Sequence, residues 1–85
     1  MAGSKILIVD DEVDFIEVMR IRLEASGYEV ISATDGAAGL EAAHVYKPAC
    51  IILDIGMPHM DGFSFVTSIK QVQELRSVPI IVVSA

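Results

Sequence analysis

The chain has 85 residues, 53% of them hydrophobic, and carries a net charge of −6 with only six lysines and arginines. That length and composition fit one small globular domain and exclude a disordered segment. The acidic balance, with no basic run, no membrane-length apolar stretch and no signal-peptide pattern in residues 1–5, argues against nucleic-acid or membrane partners for this chain.

Lys5-Ile6-Leu7-Ile8-Val9 shows no polar alternation, so it reads as a strand buried on both faces and paired in parallel. It ends on Asp10-Asp11-Glu12. Val13, Ile16, Met19 and Leu23 then mark one helical face, with Glu17, Arg20 and Glu24 on the wet side and Gly27 as the stop. Residues 28–33 carry Glu29 and Ser32 among apolar residues, which suits a half-exposed edge strand. Asp35 caps a second helix over 37–46, with Leu40, Ala43 and Tyr46 inward and Gly39 costing about 1 kcal/mol relative to alanine. Lys47-Pro48 ends that helix, and residues 49–53 form a second wholly apolar strand. Its single Cys50 reads as a small buried hydrophobe whose unpaired thiol suits a reducing cytoplasm. A third helix is expected over 63–75, burying Phe63, Val66, Ile69 and Val72. The last strand is Ile80-Ile81-Val82-Val83, read as buried on both faces.

The order β-α-β-α-β-α-β calls for an α/β fold with a parallel sheet and right-handed crossovers. The amphipathic second strand belongs at an edge and the apolar first and third strands inside, which gives the order 2-1-3-4. Direction then reverses between strands 1 and 3, whose carboxyl ends carry Asp10, Asp11 and Asp54. Open α/β sheets place their chemistry at that point. A lone strand-end aspartate is an ordinary turn former; three on neighbouring strands can share one cation. An all-oxygen set of this kind suits Mg2+, and a carboxylate beside it can attack phosphorus. Ser84, ending strand 4, is placed to donate to a phosphoryl oxygen. His44 and His59 read as solvent-exposed.

Val9-Asp10-Asp11-Glu12, Leu53-Asp54 with Met57-Pro58 and Asp61-Gly62, and Pro79-Ile80-Ile81-Val82-Val83-Ser84-Ala85 stand in order along the whole chain. Together they resemble the receiver domain of two-component response regulators, a flavodoxin-like three-layer fold. The resemblance implies that Asp54 is the phosphoacceptor, supplied by a histidine kinase, a phosphotransfer protein or a small phosphodonor. It implies Asp11 as a direct Mg2+ ligand, Asp10 as a neighbour acting largely through water, and Gly56 as a carbonyl ligand. Ser84 would be the switch hydroxyl, with small Ala85 leaving access. The family's fifth strand, its lysine and cis-proline, and the last two helices have no counterpart in residues 1–85, so the chain is expected to be a truncated receiver domain.

Three readings compete. The leading one is a cytoplasmic phosphoacceptor module that is not itself an enzyme. Another is a non-signalling folding or oligomerisation module that keeps the acidic pocket. A Mg2+-dependent phosphohydrolase is disfavoured, because no second acid follows Asp54 at the needed spacing and no phosphate-cradling glycine loop is present. An apolar fourth strand without an outer neighbour also predicts a homo-oligomer built through that strand.

Overall fold

The computed structural model describes residues 3–58 and 61–83. Four parallel strands, β1 (Lys5–Val9), β2 (Glu29–Ala33), β3 (Cys50–Asp54) and β4 (Ile80–Val83), form one sheet in the order β2-β1-β3-β4. Three helices connect them: α1 (Val13–Ala25), α2 (Gly36–Tyr46) and α3 (Gly62–Gln71), the last followed by a 3-10 turn at Gln73–Leu75.

The sheet has apolar side chains on both faces. Leu7, Val9, Ile51 and Leu53 point to one side and pack with Ala43, Phe65, Ile69 and Leu75 from α2, α3 and the turn after it. Ile6, Ile8, Val30 and Ile52 point to the other and meet Ile16, with Phe15, Met19 and Leu23 of α1 packed around them. One helix therefore covers one face and two cover the other, as right-handed crossovers in this strand order require.

Local signals set the boundaries. Gly27 closes α1 at φ +95°, and the Tyr28 amide reaches back to the Leu23 carbonyl at 3.0 Å. The Asp35 carboxylate accepts the Ala38 amide at 2.8 Å and starts α2. Lys47 ends α2 in the left-handed region at φ 47°, a conformation that glycine would adopt with less strain.

Several inward assignments shift. In α1 the first residue, Val13, is 61% exposed, and the buried face runs through Phe15, Ile16, Met19 and Leu23. Phe63, expected inside, is 83% exposed, and Phe65 takes its place. The Asp61 cap fixes where α3 starts, and that phase turns Phe65 and Ile69 inward, one helical step of four residues apart. Tyr46 is exposed at the last residue of α2. Gly39 is no mere weak point, because a Cβ there would lie 2.9 Å from Val9 and 3.1 Å from Phe65. Its bare backbone lets α2 settle onto β1. On β4, Ile81 and Val82 are half exposed rather than covered on both faces.

Arg20 is not simply on the wet side. It pairs with Glu17 at 3.3 Å, and it also reaches round the sheet edge to donate to the Val30 carbonyl at 3.1 Å and to Ser32 Oγ at 3.2 Å. Glu29 faces β1, since its amide donates to the Ser4 carbonyl. Strand alternation therefore directs the Val30 carbonyl outward from the sheet.

Candidate functional site

β1 and β3 are adjacent, in register from Ile6 opposite Cys50 to Val9 opposite Leu53. Each runs out into an aspartate at the same level of the sheet. Asp10, Asp11 and Asp54 each present a carboxylate oxygen, and these oxygens all lie within 4.8 Å of one another. Asp10 and Asp54 are nearly enclosed, at 4% and 8% exposure, while Asp11 is open to solvent.

The two buried carboxylates are held in the same manner. Asp10 Oδ1 accepts the Glu12 amide at 2.8 Å, and Asp54 Oδ1 accepts the Gly56 amide at 2.8 Å. In each case a carboxylate turns back onto the backbone two residues ahead, a local pattern that aspartate favours where a strand becomes a turn. Each side chain spends one oxygen on its own loop and keeps acceptor capacity for the centre. The backbone continues the sheet beside them, with the Asp10 amide donating to Ala33 and the Ile55 amide to Val83.

Burial pushes the Asp10 carboxyl above its ordinary value, with the neighbouring charges of Asp54 and Asp11 adding to it and the Glu12 amide opposing. Like charges gathered in a poorly solvated pocket call for a proton or a cation. The donor set is all oxygen, with one ligand facing water, which fits a hard divalent ion that retains part of its hydration shell. Asp10, Asp11 and Asp54 thus fit Mg2+ or Mn2+ by chemistry and spacing.

The loop after Asp54 is anchored from both sides. Met57, 5% exposed, plugs into the core formed with α2 and α3. Asp61 caps α3, accepting the Ser64 amide at 3.2 Å and the Ser64 hydroxyl at 2.9 Å. Sequence reasoning treated Met57-Pro58 only as a turn signal and missed Met57 as its anchor. A large apolar side chain held in the short turn between Asp54 and Asp61 was the available clue. Ser84, Ala85 and His59 lie outside the described residues.

Among the described residues, no helix is long and apolar enough to cross a membrane. Residues 6–85 match the sequence model of the response regulator receiver domain. The chain is 41% identical over its whole length to the transcriptional regulatory protein PrrA of Mycobacterium tuberculosis, and spans 36% of that protein. It therefore covers about a third of the length of this relative. Among solved structures, it superposes on the chemotaxis response regulator CheY4 of Vibrio cholerae with a TM-score of 0.89 at 33% identity, covering 95% of this chain and 68% of that one. The receiver domain of a sensor histidine kinase from Pseudomonas aeruginosa, described with a magnesium ion coordinated in its active-site cleft, gives a TM-score of 0.86 at 32% identity, covering 95% of this chain and 66% of that one.

Proposed function

Since the chain belongs to the response regulator receiver family of two-component signalling, we propose that it is a phosphoacceptor module whose Asp54 takes a phosphoryl group from a histidine kinase, a phosphotransfer protein or a small phosphodonor. One observation carries this reading: a nearly buried Asp54 carboxylate at the end of β3, clustered with Asp10 and Asp11 within 4.8 Å.

In the transfer, an Asp54 oxygen forms the new O–P bond as the donor's bond to phosphorus breaks, and the departing imidazole or carboxylate takes the displaced electron pair. The Gly56 amide, bonded to Oδ1, orients the nucleophile. Asp11 and the Gly56 carbonyl would hold a divalent cation, with Asp10 beside them. The ion supplies positive charge that offsets the repulsion between carboxylate and phosphoryl group. Ser84 is proposed as the hydroxyl that contacts the phosphoryl oxygen. The receiver-family match favours a signalling role over a non-signalling folding module. A cytoplasmic setting suits the unpaired, partly buried Cys50. The β4 edge, with Ile81 and Val82 half exposed, is the proposed surface for pairing between copies of the 85-residue polypeptide.

The test is phosphorylation of the full-length protein with a small phosphodonor, followed by mapping of the acyl phosphate by mass spectrometry. Label is expected on Asp54 and lost in Asp54→Asn. Undiminished label in that variant would overturn the assignment. Mn2+ line broadening should weaken more in Asp11→Ala than in Glu12→Ala; equal broadening in both would place the ion elsewhere.

A further inference from the structure

Besides its hydrogen bonds, the turn that leaves Asp54 packs against the start of α3 through a contact between Ile55 and Gly62. A Cβ at position 62 would lie 2.7 Å from Ile55 Cγ2 and 3.4 Å from Ile55 Cβ. Carbon atoms pack favourably at about 3.5–4.0 Å, so Ile55 already fills the room that a side chain at Gly62 would need. Neither backbone is free to retreat. The Ile55 amide is bonded to the Val83 carbonyl at 3.1 Å. Gly62 opens α3, whose start is tied down by the Asp61–Ser64 cap and whose body is seated by buried Phe65 and Ile69. The Ile55 side chain is β-branched, so a hydrogen replaces Cγ2 in only one of its three staggered rotamers.

We propose that Gly62 is a positioning residue for the acidic centre. Its missing side chain lets Ile55 seat against the start of α3, and this fixes the 54–56 turn that orients Asp54 and Gly56. The proposal rests on the reading of Asp54 as phosphoacceptor and Gly56 as ligand. A larger residue at 62 drives Ile55 outward. Because Ile55 lies between Asp54 and Gly56, the displacement reaches the nucleophile and the ligand carbonyl through one peptide bond each.

A double-variant cycle in the full-length protein tests this with two readouts. One is the Gly56 amide resonance without metal, which reports its bond to Asp54; the other is Mn2+ affinity from paramagnetic broadening. Gly62→Ala should move the Gly56 amide and weaken Mn2+ binding about tenfold, the lower end for groups that orient a ligand. The double variant Gly62→Ala/Ile55→Ala should instead match Ile55→Ala, since the collision is gone. An unmoved Gly56 amide with unchanged affinity in Gly62→Ala overturns the proposal. So does a double variant no better than Gly62→Ala. If Gly62→Ala fails to fold, folding of the double variant supports the contact, and failure of the double while Ile55→Ala folds overturns it. Wild-type protein that takes up no Mn2+ refutes the metal reading instead, and the metal-free Gly56 resonance then decides the role of Gly62.

Discussion

Replacing Asp54 with asparagine should make the metal-free domain more stable while abolishing its capacity to accept phosphate. Two unit charges at the outer bound of 4.8 Å repel by roughly 3.5 kcal/mol at an effective dielectric of about 20. The full amount is not stored, because Asp11 is open to solvent and its charge is screened. A net gain of about 1–3 kcal/mol remains on removing the Asp54 charge. Asparagine keeps a carbonyl oxygen for the Gly56 amide, so the local turn survives. For a domain of this size, each kcal/mol moves the melting temperature by about 4–8 °C. Thermal melts in chelator, at one fixed protein concentration, should therefore show Asp54→Asn at least about 5 °C above wild type. Mg2+ at ten times its dissociation constant should return about 1.4 kcal/mol to the wild type, and less to the variant. The gap then narrows. Melting of Asp54→Asn at or below wild type in chelator would refute the claim that the centre is electrostatically strained.

Gly39→Ala should destabilise by about 1–3 kcal/mol despite alanine's better helix propensity, since overpacking against Val9 and Phe65 outweighs it; urea denaturation measures this, and an unchanged midpoint would contradict it. The Asp61 carboxyl is held below its ordinary value of 3.8 by the Ser64 hydroxyl and amide. A group lowered in the folded state stabilises above its unfolded value, and that contribution is lost as pH falls through the lowered one. Stability measured by urea titration should thus drop further below pH 3.8 in wild type than in Asp61→Ala, and parallel curves would show the cap to be inert. The 85-residue polypeptide should self-associate through β4, where the backbone groups of Ile80 and Val82 point away from β3. Light scattering over a tenfold dilution series is the measurement, and a stable monomer throughout would refute it.

Much of this architecture was legible because residue types at the strands and caps have few alternatives. Unbroken apolar runs at Ile6-Leu7-Ile8-Val9 and Ile51-Ile52-Leu53 demanded interior parallel strands, and their order brought Asp10, Asp11 and Asp54 to one end of the sheet. Asp35 and Gly27 sat where a cap and a helix stop need them. Helix phase was harder to read. At about 100° per residue, Phe63 and Val72 are half a turn apart, so a spacing of three repeated from Phe63 could not stay on one face. Sequence offered two phenylalanines two positions apart, and only the start of α3 at the Asp61 cap selects Phe65. Gly39 was misread because its cost within a helix is local, while its use is a contact with β1 more than twenty positions away. Arg20 looked like solvent-facing charge, since nothing in a helical pattern shows a side chain reaching to a strand.

That reach of Arg20 gives the sheet two unlike margins. On the β2 side, the guanidinium occupies the outward carbonyl of Val30, which an incoming strand would need for its own ladder. The β4 margin, Ile80–Val83, carries neither proline nor charge. The β4 margin of the described sheet is therefore the less guarded of the two. A pairing of two copies at β4 would leave β2 as each outer boundary, with one outward carbonyl already engaged by Arg20. With that carbonyl engaged, the β2 margin would offer a further strand fewer free acceptors than the β4 margin does.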